Sequence, residues 1–218
     1  MRWGSQGRTL VAGTGFAAGQ APRATYFYSG AAEVEVGGAK WKLKREGNYP
    51  WEGRVKLVLQ TETRNAKLKT VFVRIPGWGR NEPLPGDLYR FADPTVAAPT
   101  LAVNGQAVAL RNVPKNGFVC LARDWRSGDV IELDLPMPLR HVIAHSNVKK
   151  CAGKVVLERG PIVQCFDGGD HDGRVLDPAM PAGAAFVPRR RPDFLGVGTV
   201  LEGELIRAGG RIRATAIP

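Results

Sequence analysis

The stretch DVIELDL, Asp129 to Leu135, sets Ile131, Leu133 and Leu135 against Glu132 and Asp134. A period of two is what a strand with one buried face requires, and it does not fit a helix. Runs of the same kind recur along the chain as AEVEV, KWKLK, RVKLVLQ, LKTVFVRI, LAVNGQAV and GFVCLAR. They succeed one another every ten residues or so, the spacing of strands in a sandwich. The 27 Gly and 16 Pro fall between the runs, as turns do, and are too many for a helical bundle. With 218 residues and 44% hydrophobic side chains the chain buries a real core, which excludes a disordered chain. The pattern predicts an all-β protein: an antiparallel β-sandwich followed by a second, smaller β region.

Turn chemistry predicts which runs pair. AEVEV and KWKLK are joined through Gly37 and Gly38, and RVKLVLQ and LKTVFVRI through Asn65, so both pairs are expected as antiparallel hairpins. In LAVNGQAV, Asn104 and Gly105 both tolerate the positive φ of a tight type I′ turn. LPMPLRHV then interrupts the ladder, because two prolines cannot donate backbone hydrogen bonds within a central strand. The expected organisation is a flexible leader over 1–24, the sandwich over 25–140 and a C-terminal β domain over 141–218. Within the leader, TLVAGTGFAAGQA has too many glycines for a signal-peptide core. Its GTGFAAG does not have the spacing or the strand-turn-helix setting of a dinucleotide loop.

Lys and Arg number 31 against 20 Asp and Glu, a net charge of +11, so a polyanionic partner must be weighed. Lys40, Lys42 and Lys44 alternate with Trp41 and Leu43, which places them on the wet face of a strand. Arg189, Arg190 and Arg191 lie between Pro188 and Pro192 and are expected in a solvated loop. No DNA-reading helix or RNA-binding aromatic signature accompanies these charges, which argues against nucleic acid. No apolar run reaches the roughly 18 residues of a membrane span. Cys120, Cys151 and Cys165 form neither a disulfide framework nor a Cys-x-x-Cys hook. Cys120 and Cys165 sit in apolar runs and are expected as small buried hydrophobes, with the chain in a reducing compartment such as the bacterial cytoplasm.

Candidate chemistry is sparse. Tyr49 and Trp51 immediately precede RVKLVLQ. They can cap the sandwich core as the strand enters, or form a platform on which a sugar ring stacks. No amide or acid cluster surrounds them in the sequence, which favours the cap. Asp167, Asp170, His171 and Asp172 crowd DGGDHDGR, but their spacing does not match a calcium loop. Glu158 and Glu202 are the conceivable glycosidase carboxylates, and nothing in the sequence brings them together. His141 and His145 are four apart with prolines alongside, so their spacing carries no helical metal-site meaning.

Five ordered segments, NYPWEGRVKLVL, VRIPGW, LAVNGQAV, RDWRSGDVIELDLPMPLR and GKVVLERGPIVQC, resemble glycoside hydrolase family 127, the β-L-arabinofuranosidase-like family, from about Tyr26 to the C-terminus. The resemblance implies an N-terminal α/α barrel bearing the active site, followed by two β-sandwich regions, of which only the latter match this chain. It implies that the zinc-bound cysteine nucleophile and its acidic and histidine partners belong to the barrel, since no residue here matches them. The expected catalytic set and cofactor of this chain are therefore none, and the chain is expected to be a fragment cut at both ends. Its expected partners are the barrel of the same protein, a second copy, and a carbohydrate if Tyr49 and Trp51 form a platform. An apolar face bared by the missing barrel is expected to drive self-association.

Overall fold

The computed structural model describes residues 23–24, 30–93, 97–110, 113, 116–169, 173–175, 177–181, 184–191 and 198–218. The first strands are β1 (Arg23–Ala24), β2 (Gly30–Val36), β3 (Ala39–Glu46), β4 (Arg54–Gln60), β5 (Leu68–Arg74), β6 (Tyr89–Phe91), β7 (Thr100–Val103) and β8 (Gln106–Val108). They are followed by β9 (Phe118–Trp125), β10 (Val130–Asp134), β11 (Leu139–Ala144), β12 (Val156–Arg159), β13 (Ile162–Phe166), β14 (Val187–Arg191), β15 (Gly198–Arg207) and β16 (Gly210–Ile217). Two short 3-10 turns, Trp78–Arg80 and Lys149–Cys151, are the helical elements of the described residues, none of which is long or apolar enough to cross a membrane. The all-β class is what the alternating runs predict.

The chain forms two compact units that are not contiguous in sequence: residues 1–80 with 97–136, and 81–96 with 137–218. The first is a sandwich of a six-stranded sheet, ordered β2-β3-β4-β10-β7-β8, and a three-stranded sheet, ordered β1-β5-β9. Trp41, Leu57 and Ile131 from the larger sheet share one buried core with Val71, Val73 and Trp125 from the smaller. Ile131, Leu133 and Leu135 are at most 2% exposed, and each such side chain contributes about 1.5–3 kcal/mol by burial. Lys40, Lys42 and Lys44 point outward, as the alternation predicts. Asn104 and Gly105 have φ of 50° and 76°, and the hairpin they close pairs Val103 with Gln106. The Asn104 amide also ties this turn to the one before β10. Its Nδ2 donates to Asp129 Oδ1 at 2.8 Å, and its Oδ1 accepts from the Val130 N–H at 2.8 Å.

Three expectations are corrected. RVKLVLQ and LKTVFVRI are β4 and β5, and they lie in different sheets: β4 pairs with β3 and β10, β5 with β9 and β1. Alternation fixes which face a strand buries but not which strand lies beside it, so the turn at Asn65 carries the chain from one sheet to the other. Cys120 and Cys165 are exposed. In β9 the inward positions are Leu121 and Trp125, which leaves Cys120 on the opposite face. Arg189–Arg191 belong to β14, every residue of which is exposed. Pro188 and three arginines suit an edge strand, which must not recruit a neighbour.

The second unit is a seven-stranded sheet ordered β14-β15-β16-β13-β12-β11-β6. Leu201, Leu205, Ala214 and Ala216 of β15 and β16 pack with Leu157 and Phe186 in its core. Phe186 lies against Gly203, where a Cβ would come within 2.6 Å of the ring. Segment 81–96 leaves the first unit after β5 and contributes β6 to this sheet, pairing Phe91 with Val142 and Tyr89 with Ala144.

Candidate functional site

Tyr49 and Trp51 lie in the turn ahead of β4, where Asn48 O accepts the backbone N–H of Trp51 at 2.8 Å and of Glu52 at 3.1 Å. Both rings are half-buried, and Tyr49 packs against the core of the first unit. Glu158 and Glu202 fall on β12 and β15, with β13 and β16 between them. Three strand spacings along the sheet are about 14 Å, beyond the roughly 5–10 Å of glycosidase carboxylate pairs. Glu158 is buried and Glu202 is exposed. His141 lies on β11 and His145 just past it, where its Nδ1 accepts the Asn147 N–H at 3.1 Å. Asp167 accepts the Gly169 N–H at 2.7 Å, while Asp170, His171 and Asp172 lie outside the described residues.

A polar cluster that nothing in the sequence brings together forms where β6 meets β11. The Ala92 N–H donates to His141 O and the His145 N–H to Leu88 O, both at 2.8 Å, which extends the pairing beyond β6 at both ends. Asp93 then closes on β11: its carboxylate accepts the backbone N–H of His141, and its Oδ1 lies 2.8 Å from His141 Nδ1. Arg140 Nη2 donates to the Asp93 carbonyl at 3.4 Å, and its guanidinium carbon lies 3.6 Å from the centroid of the Phe91 ring. Glu158 stands directly across from Arg140 in the antiparallel register.

Burial pulls the Asp93 carboxyl upward, but the N–H and ring of His141 outweigh it and leave Asp93 below the usual carboxylate range. Burial has the opposite outcome at Glu158. It pushes that carboxyl up to about 7 against the weaker pull of Arg140. Burial also lowers the Arg140 guanidinium, which Asp93 and Glu158 partly offset. The cluster can hold a strand and exchange a proton. Asp93 and His141 are 48 residues apart and meet only through strand pairing, so no local spacing announces them.

Among the described residues no group of three or more His, Cys, Asp or Glu side chains could hold a metal ion. The zinc implied by the family resemblance therefore has no fitting residues among them.

Residues 23–137 match the family model described as beta-L-arabinofuranosidase, GH127 middle domain, and residues 139–218 match that of the glycoside hydrolase family 127 C-terminal domain. The non-reducing end beta-L-arabinofuranosidase of Bifidobacterium longum subsp. longum is 31% identical over 134 residues, covering 60% of this chain and 17% of that protein. Among solved structures, a GH127 beta-arabinofuranosidase matches with TM-score 0.78 and 32% identity, covering 90% of this chain and 32% of the other. A GH127 beta-L-arabinofuranosidase from Geobacillus stearothermophilus T6 matches with TM-score 0.77 and 27% identity, covering 93% of this chain and 32% of the other. The chain thus spans about a third of the solved relatives and under a fifth of the curated one. With both domain models matched in order over a fold shared with these enzymes, the chain belongs to glycoside hydrolase family 127, of which it carries the middle and C-terminal domains.

Proposed function

We propose that this chain is the non-catalytic β portion of a β-L-arabinofuranosidase-like glycoside hydrolase and buttresses a catalytic α/α barrel carried elsewhere in the same protein. The observation that carries this is coverage: two consecutive family domains fill residues 23–137 and 139–218, while the solved relatives are about three times as long. The strand order adds support, since it keeps Glu158 and Glu202, the carboxylates the sequence offered, three strands apart. In this role Tyr49 and Trp51 fix the entry of β4 into the sandwich. Exposed Leu84, Leu88 and Val163 on the second unit supply apolar surface for a partner or a second copy.

The test is turnover of an aryl β-L-arabinofuranoside by the chain alone and by the chain joined to a family barrel. No turnover alone, with turnover restored by the barrel, is expected. Turnover by the chain alone that is lost on replacing Cys120, Cys151 or Cys165 overturns the proposal. Titration with arabinose-containing oligosaccharides checks the aromatic pair. Saturable quenching of tryptophan emission, abolished in Trp51→Ala, would replace the structural role of Tyr49 and Trp51 with sugar binding. Sedimentation across a salt series checks association. Salt screens charge repulsion over about 8 Å at physiological strength, so added salt is expected to favour the associated form. A monomer at every salt and protein concentration counts against a bare docking face.

A further inference from the structure

Segment 81–96 is held on the second unit by groups that are incompletely paired. Arg140 is 4% exposed, yet its Nε and Nη1 meet no acceptor, and its Nη2 has only the Asp93 carbonyl. The carboxyl of Glu158, a residue 8% exposed, takes no hydrogen bond among the described residues, although it stands directly across from Arg140. Residues opposed in an antiparallel pair have Cβ atoms about 5 Å apart, so rotation about side-chain bonds alone brings this carboxyl and guanidinium together. A buried ionised carboxylate beside a buried guanidinium with two idle donors gains several hydrogen bonds by pairing. The open arrangement therefore belongs to a neutral Glu158.

We propose that Glu158 and Arg140 form a proton-operated latch on strand β6. With Glu158 protonated, Arg140 lies over Phe91 and holds the Asp93 carbonyl. When Glu158 loses its proton to solvent, Arg140 turns onto the new carboxylate, leaves Phe91 and Asp93, and loosens β6 at the edge of the sheet. The groups facing Glu158 fit this assignment. Directly across from it stand Arg140 on β11 and the uncharged Val163 on β13, and Arg140 in turn meets Phe91 and the Asp93 carbonyl. Asp93 is engaged with His141, so no second carboxylate is free to take Arg140 in place of Glu158. Burial lifts the Glu158 carboxyl to about 7 while Arg140 is turned away, and pairing with Arg140 favours the ionised form, so the transition falls below that value. The Asp93–His141 clasp persists on both sides of it, so the strand loosens without leaving.

Native-state hydrogen exchange on the whole chain, from about pH 5 to about pH 9 and corrected for intrinsic rates, tests the latch. The reporters are the amides of Ala92 and His145, which bond across the β6 edge. Their protection relative to amides of β15 and β16 is expected to fall about ten-fold as pH rises through the transition, for loss of a charge-assisted hydrogen bond and a ring contact. In E158Q, which keeps the shape and cannot ionise, protection should hold at its low-pH level throughout. Constant protection in the wild type, or the same fall in E158Q, overturns the latch. The Arg140 Nε–H resonance of the unmutated chain gives a reading that does not depend on the variant's folding: it should move with a midpoint below about 7, and an unmoved resonance overturns the latch.

Discussion

Among the glycines of the described residues, Gly53 leaves the least room for a Cβ. An ideal Cβ built there falls 1.8 Å from the carbonyl oxygen of Leu135 and 2.8 Å from its carbonyl carbon. Carbon and oxygen in contact sit about 3.3 Å apart, so Gly53→Ala displaces one backbone by about 1.5 Å. Neither side can move freely. Leu135 is 1% exposed and its N–H donates to Gly53 O at 3.1 Å, while β10, which ends at Asp134, is locked to β4 from Val130 to Asp134. Overpacking costs about 1–3 kcal/mol and the lost hydrogen bond about 1. Reduced freedom of the unfolded chain returns up to about 1 kcal/mol. The net loss is about 3 kcal/mol, a large share of the 5–15 kcal/mol by which a domain is stable. Gly79 is the control: its Cβ meets Leu135 Cδ2 and Pro99 Cγ at an ordinary 3.6 Å, so Gly79→Ala should stay within about 1 kcal/mol of wild type. Urea unfolding followed by tryptophan emission reads both, since Trp41 and Trp125 are each 2% exposed in this unit. Equal midpoints for the two variants would refute the close-approach argument.

Asn104→Ala should cost about 2 kcal/mol in the same assay, because it removes both amide bonds and leaves Oδ1 of the buried Asp129 without its Asn104 donor; an effect under about 0.5 kcal/mol would mean that the Asn-Gly turn needs no tether. Arg45 is 7% exposed, its three guanidinium nitrogens have no partner, and burial above all holds its pKa down to about 10. Arg45→Met is therefore expected to stabilise the sandwich by about 1–3 kcal/mol, and a drop in the unfolding midpoint contradicts this. Glu158 has a folded pKa of about 7 against an ordinary 4.5, so the folded state binds its proton more tightly than the unfolded chain does. Its contribution is fully present below about pH 4.5 and is lost as pH rises to about 7, amounting to about 3 kcal/mol at most. The stability difference between E158Q and wild type should grow over that window in favour of the variant, and parallel pH profiles would exclude it. Asp93 has the opposite sign. Its depressed carboxyl adds stability that is present above the unfolded value and lost in acid, so Asp93→Asn should flatten the acid limb of the unfolding profile.

Periodicity along the chain set the faces of the strands. Alternation placed Ile131, Leu133 and Leu135 inside and Lys40, Lys42 and Lys44 outside, because side chains on an extended backbone must point to opposite sides in turn. Turn chemistry set the hairpins at Gly37-Gly38 and Asn104-Gly105, where positive φ is required within the turn itself, and five ordered segments carried the family. Partner choice was decided only by tertiary structure. The runs on either side of Asn65 look like a hairpin locally, yet hydrogen bonding to β10 and β9 draws them into separate sheets around one core. The same limit hid the polar cluster. Asp93, Arg140 and Glu158 carry no signal in their own neighbourhoods, since their meaning arises when β6 joins β11 and Arg140 and Glu158 are buried together. Periodicity is a property of the backbone and can be read residue by residue. Adjacency and desolvation are properties of the packed chain, and they raised a carboxyl to about 7 at a position where the sequence shows an ordinary glutamate.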